Sequence, residues 1–133
     1  MNIFSFKKEN RITLRNEIDT LFRYGKVFYS GPLRLVYRIG KEGVPGIKIL
    51  ITVPRKKFRN ATHRNRLKRL MREAYRLNHR NIIPETRILS LNIRAGLIYT
   101  GERHDVPFND MEKWVTAALK HLAGEISAVK VTD

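Results

Sequence analysis

The chain has no cysteine. That excludes disulfides, cysteine-ligated zinc and a thiol nucleophile, and it fits a reducing compartment such as the cytoplasm. Acids are scarce: 12 Asp and Glu stand against 27 Lys and Arg, and no pair is set out as a general acid and base. The four histidines, His63, His79, His104 and His121, share no metal-ligand spacing with one another or with an acid on one helical face. His104, beside Asp105 in a turn, reads as a surface residue. No apolar run approaches the roughly 20 residues of a membrane span. The opening MNIFSFKKENR lacks the apolar centre of a secretory signal. The glycine-rich run GKEGVPG, residues 40–46, lacks a Lys-Ser/Thr ending and a helix behind it, so it is no phosphate loop. Internal repeats and low-complexity tracts are missing as well. A catalytic set, a metal site, a small-molecule substrate and a membrane partner are therefore not expected of the protein by itself.

What the chain does have is positive charge. It carries +15 over 133 residues, with a pI near 10.7. At 42% hydrophobic the composition is that of a globular domain with one core. A globular domain this basic reads first as a nucleic-acid binder. A membrane surface is second, because the cations are spread over several segments instead of lining one amphipathic helix.

The stretch from Ala61 to Asn78, ATHRNRLKRLMREAYRLN, has helical period. Leu67, Leu70, Met71, Ala74 and Leu77 make one apolar stripe. Asn65, Lys68, Arg69, Arg72 and Arg76 fall on the opposite face, with Arg64, Arg66, Glu73 and Tyr75 at the borders. Thr62 or Asn60 would cap its start. A solvated charged face is the ordinary explanation of such a row. Here the cations crowd the N-terminal turn, where the helix dipole disfavours them, and Glu73 is the only acid between Thr62 and Pro84. A polyanion would neutralise a face of this kind.

The other elements follow in order. An extended arm covers about residues 1–10. A helix spans Thr13–Tyr24, capped by Thr13, striped by Leu14, Ile18, Leu21 and Phe22, and stopped by Gly25. Val27–Ser30 is a short strand. Leu33–Ile39 and Ile47–Val53 alternate cleanly, and the Gly/Pro turn between them suggests an antiparallel hairpin. Arg34, Val36 and Arg38 share one face of the first strand, and Lys48, Leu50 and Thr52 one face of the second. That face is either the wet side of a half-covered sheet or a bed for a single nucleic-acid strand, with Phe22 and Tyr29 as stacking partners or core residues. The loop Pro54–Arg59 adds Arg55, Lys56, Lys57 and Arg59 beside the helix start, where backbone N–H groups also suit phosphate. Asn81 and Pro84 signal a break, and Ile88–Ile93 reads as strand or loop. Ala95–Thr100 reads as a buried strand. Pro107 opens a last helix striped by Met111, Val115, Ala118, Leu119 and Leu122, Gly124 ends it, and residues 125–133 form a loose tail. The expected architecture is a single small two-layer α+β domain.

The run Arg64-Asn65-Arg66, Leu67-Lys68-Arg69 and Arg72-Glu73, behind a strand and a Lys/Arg loop, resembles the protein component of bacterial ribonuclease P. Asn60-Ala61, the helix ending Phe22-x-x-Gly25, Tyr99 and Pro107-Phe108 extend the resemblance over roughly residues 9–123. Arg59 and Ile18 depart from it, replacing a small loop residue and an aromatic. The resemblance implies an α-β-β-β-α-β-α order, a mixed four-stranded sheet and a left-handed crossover carrying the RNR helix. It implies a subunit that helps a catalytic RNA remove the 5′ leader of precursor tRNA. The RNA and its Mg²⁺ would perform the hydrolysis, and the protein would bind no cofactor of its own. By the same resemblance, Arg55, Lys56, Lys57, Arg64, Asn65, Arg66, Lys68, Arg69, Arg72 and Arg76 would grip the catalytic RNA. Ile18, Phe22, Arg34, Val36, Arg38, Lys48 and Thr52 would line a leader cleft. The rival readings are a plain RNA- or DNA-binding module of ribosomal-protein type and a metal-dependent nuclease; the scarcity of acids opposes the second.

Overall fold

The computed structural model of the protein describes residues 15–83 and 90–129. The elements are α1 (Arg15–Tyr24), β1 (Lys26–Ser30), β2 (Leu33–Gly40), β3 (Gly46–Thr52), α2 (Ala61–Ile82), β4 (Asn92–Tyr99) and α3 (Phe108–Ala128). The expected α-β-β-β-α-β-α order is present. The sheet is mixed, in the order β1-β2-β4-β3. β1 with β2 and β2 with β4 are antiparallel, whereas β3 and β4 are parallel.

The expected hairpin between β2 and β3 is not formed, because β4 lies between them. The reason is burial. β4 is covered on both faces, every residue from Ile93 to Tyr99 being buried. A strand apolar on both sides gains most at the centre of a sheet, while β2 and β3 each keep a face with exposed or half-exposed cations. The Gly/Pro run 40–46 thus bridges two strands that are not neighbours, and α2 is the crossover joining the parallel pair β3 and β4.

The main core lies on one face of the sheet. Leu33, Leu35, Tyr37, Ile49, Ile93, Ala95, Leu97 and Tyr99 point there from the strands. α2 meets them with Leu67, Met71, Ala74 and Tyr75, and α3 with Met111, Val115, Ala118, Leu119, Leu122 and Ile126. A smaller cluster on the opposite face holds Leu21 of α1 against Val36 and Ile98, with Ile18 and Leu50 packed beside it. The strand parity read from the sequence is therefore present.

Several local expectations are corrected. Asn60 caps α2, its side chain accepting from the backbone N–H of Thr62 at 2.9 Å and of His63 at 3.4 Å; Thr62 is already helical. α2 runs through Asn81 to Ile82, since one amide does not outweigh a continuing packed face. Tyr75, expected at a border, is 1% exposed, whereas Leu70 and Leu77 are only half-buried. Pro107 occupies the N-cap position of α3 instead of its first turn. Gly124 does not end that helix: burial of Ile126 carries it to Ala128, so Glu125–Ala128 are not a tail. α1 does end before Gly25, whose N–H closes the last turn on the Leu21 carbonyl at 2.8 Å; the close approach of β2 there suits glycine, since a Cβ would lie 2.6 Å from Val36. The Thr13 cap, Leu14, the arm 1–10, the Pro84 break, Ile88 and the end of the chain beyond residue 129 lie outside the described residues.

A polar brace ties the sheet to α3. The Tyr37 hydroxyl donates to Glu125 Oε1 at 2.7 Å and contacts His121 Nε2 at 3.1 Å, while the Phe28 ring stacks on His121 at 3.9 Å. The ring of Tyr37 is buried and its hydroxyl sits at the rim of a cavity. Burial first, then the bond to Glu125, pushes its pKa from 10.0 up to about 12. The folded state thus prefers the protonated phenol. This contribution is complete below pH 10 and is lost as pH rises through about 12. Tyr37→Phe should flatten the loss of stability over that window, measured by urea unfolding at stepped pH. In the core, Met71→Ala should cost on the order of 2–5 kcal/mol and Leu70→Ala distinctly less, since only Met71 is fully buried.

A candidate nucleic-acid interface

The interface grows out of the end of β3. Val53 and Phe58 are buried, the Phe58 ring lying 5.9 Å from that of Tyr99, and they pin both ends of the basic loop. Between them Arg55, Lys56 and Lys57 are exposed. The loop then enters α2 through the Asn60 cap, with no acid in the first turn to offset the dipole.

The cations of α2 divide into two kinds. Arg64 donates to the carbonyls of Phe58 and Arg59 at 2.6 and 2.9 Å, and Arg66 to those of His104 and Val106 at 2.7 and 2.9 Å. Lys57 donates to the Thr100 carbonyl at 2.5 Å. These three fasten the loops on either side of the helix start. Arg76 pairs with Glu73, and that hydrogen bond holds the Glu73 carboxyl below its usual value. Asn65, Arg69 and Arg72 point outward as exposed groups, and Lys68 is half-exposed. The helix therefore presents an amide and a cationic ridge that continues the loop cations.

Sequence reasoning missed one part of this surface. His63 on α2 and His104 on the loop before α3 stack in parallel, with centroids 3.7 Å apart and planes 1° apart. Arg66 holds that loop in place. The pairing spans distant segments, so no local pattern announces it. Among the described residues no group of three or more His, Cys, Asp or Glu is placed to hold a metal ion.

The second expected set lies across the opposite face of the sheet. Register puts Tyr29, Arg34, Ile98 and Thr52 in one rank across the four strands. Val27, Val36, Gly96 and Leu50 form the next, and Arg38, Arg94 and Lys48 the third. Val36 does not line an open cleft: it is fully buried beneath Leu21, since α1 crosses the middle rank. Gly96 lies under the crossing, where a Cβ would sit at ordinary contact distance, 3.5 Å, from Leu21 Cδ2, so the crossing does not depend on glycine. Ile18 is half-buried in the same cluster. Arg34, Arg38, Lys48 and Thr52 remain accessible around α1, and Phe22 is 40% exposed on it. Arg94 is nearly buried and serves the fold, donating to the carbonyls of Gly46, Ile93 and Val44. Thr52 joins the two surfaces, because the basic loop starts just after it.

Fold and site together define an α+β nucleic-acid-binding protein with a cationic crossover helix. A sequence model of the family described as Ribonuclease P matches residues 6–123. The Ribonuclease P protein component of Porphyromonas gingivalis strain W83 is 41% identical over 132 residues, covering 96% of this chain and 94% of that protein. That of Chlorobium phaeobacteroides is 28% identical, over 91% and 89% of the two chains. Among solved structures, the RNase P protein from Thermotoga maritima superposes with a TM-score of 0.66 at 27% identity, over 84% of this chain and 96% of that one. The Staphylococcus aureus RNase P protein, at 18% identity and a TM-score of 0.68, shares the fold over 85% and 94% of the two chains. The chain belongs to the ribonuclease P protein family, and it is the protein component of that tRNA-processing ribonucleoprotein.

The two kinds of cation predict different phenotypes. Arg69→Ala should leave stability unchanged and shrink the salt slope of RNA binding by about 0.7 to 0.9. Arg66→Ala should weaken binding and also lower stability by roughly 1.5–3 kcal/mol, because two charge-assisted bonds to the 104–106 loop are lost. Filter binding across a salt series, with thermal unfolding of each variant, checks both.

Proposed function

We propose that α2 and the loop before it grip the catalytic RNA of a ribonuclease P holoenzyme, while the sheet face on either side of α1 receives the 5′ leader of precursor tRNA. The observation that carries the reading is the exposed ridge formed by Arg55 and Lys56 of the loop and Asn65, Arg69 and Arg72 of α2, a helix whose other side is sealed in the core. Phosphate contacts supply affinity there, and Asn65 offers both a donor and an acceptor to backbone or base edges. Arg34, Arg38, Lys48 and Thr52 around α1 suit a strand of any sequence, since phosphate contacts carry little base information.

The chemistry belongs to the RNA and its Mg²⁺. On this reading the protein holds and orients the two RNAs through its cations and binds no cofactor of its own. The compartment proposed for this work is the cytoplasm, where precursor tRNA would be met. A general RNA-binding module without a role in cleavage would bind the same polyanions but would not alter leader removal. In reconstitution, adding the protein to a matching catalytic RNA should raise cleavage of the leader at low Mg²⁺, and the protein alone should cut nothing. Cleavage by the protein without RNA, or no effect on the RNA's rate, would reject the proposal.

A further inference from the structure

Among the described residues five large hydrophobic side chains stand exposed, and three of them follow one another onto one strand face: Tyr24 at the end of α1, then Val27 and Tyr29 on the outer face of β1. Tyr24 and Tyr29 are each 65% exposed, and Val27 is 44% exposed. Burying such groups would stabilise the fold, so their exposure on one patch points to an outside partner. Each tyrosine has an arginine beside it. Tyr29 faces Arg34 across the β1–β2 pair, and the Arg38 guanidinium lies 5.7 Å from the centroid of the Tyr24 ring. Arg34 is half-exposed there, so its guanidinium stays within reach of a phosphate oxygen.

The two aromatic–guanidinium pairs are set by β2. Arg34 and Arg38 share a face, and four residues of strand rise separate them by about 13 Å. Val27 forms an apolar step between them. Beyond Tyr24 and Arg38 the track opens into a cavity of about 380 Å³, walled also by Lys26 and Glu125. The larger cavity on the other side of Arg38, about 540 Å³, is walled by Glu17 and Glu42 together with Lys41 and Arg94, and neither tyrosine lines it. Rings that stack any base, next to cations that take its phosphate, are the elements of single-strand recognition. A protein partner with an acidic apolar surface would meet the cations but would not need two separated flat rings.

We infer that the Tyr24–Val27–Tyr29 track binds single-stranded RNA, extending the leader site off the edge of α1 onto β1 and gripping nucleotides far from the cleavage point. The inference rests on the leader reading above and names the part of the leader it concerns. Tyr29 stacks a base, Arg34 takes the adjoining phosphate, and Tyr24 with Arg38 repeats the arrangement farther along.

The test uses the holoenzyme assembled from protein and catalytic RNA. Its affinity is measured for precursor tRNAs with a very short leader and with a leader of about ten nucleotides, within the span a single-strand groove holds. The readout is the ratio of the two affinities. Tyr29→Ala should lower that ratio about tenfold, the range expected for one lost stack. Tyr29→Phe, which keeps the ring, should retain the wild-type ratio, and Val44→Ala, which removes the exposed hydrophobic outside the track, should retain it too. A ratio unchanged in Tyr29→Ala while the wild type favours the longer leader would overturn the inference alone. Equal weakening on both leaders would overturn it as well, assigning the patch to the catalytic RNA. A wild-type holoenzyme indifferent to leader length would overturn the leader reading and this inference together.

Discussion

The structure depends on the burial of β4 from both sides. A strand with apolar groups on its two faces must be flanked by strands at its edges and roofed by helices above and below. β2 and β3 supply the edges; α2 and α3 cover one face, and α1 crosses the other. The parallel pairing of β3 with β4 then obliges the chain to travel back across the sheet, and α2 is the segment that does so. The cationic helix is held over the sheet by the same packing that centres β4.

That packing also decides what each cation does. The stripe of α2 can be sealed only if the opposite side faces water, and the row of charges is left outside with one acid to balance it. At the helix start the demands compete. Two arginines turn back to satisfy backbone carbonyls of neighbouring loops, which shapes the surface, and the groups that follow point outward. A cluster of like charges destabilises the protein standing alone through self-repulsion, and a phosphate-rich partner relieves it. The sequence motif is thus partly scaffold and partly contact surface.

The far face of the sheet shows the same economy. α1 seals only the middle rank, through Leu21 against Val36 and Ile98. The ranks on either side keep cations and rings in reach of solvent, so a helix needed for the second core also makes the wall of a groove. The side chains around it come from α1 and three strands, and only the pairing register gathers them.

Period and charge were legible along the chain. The stripes of α2 and α3, the alternation of β2 and β3, the stop at Gly25 and the cationic ridge with Asn65, Arg69 and Arg72 all follow from local spacing, because a helix or strand repeats at a fixed angle whatever surrounds it. Partners distant in sequence were not legible. The place of β4 between β2 and β3, the burial of Val36, the anchoring of Arg64 and Arg66, the stacking of His63 on His104 and the gathering of Tyr24 with Tyr29 each depend on which segments meet. Those meetings are selected by the total apolar surface buried in the fold, a quantity that no short window of residues contains.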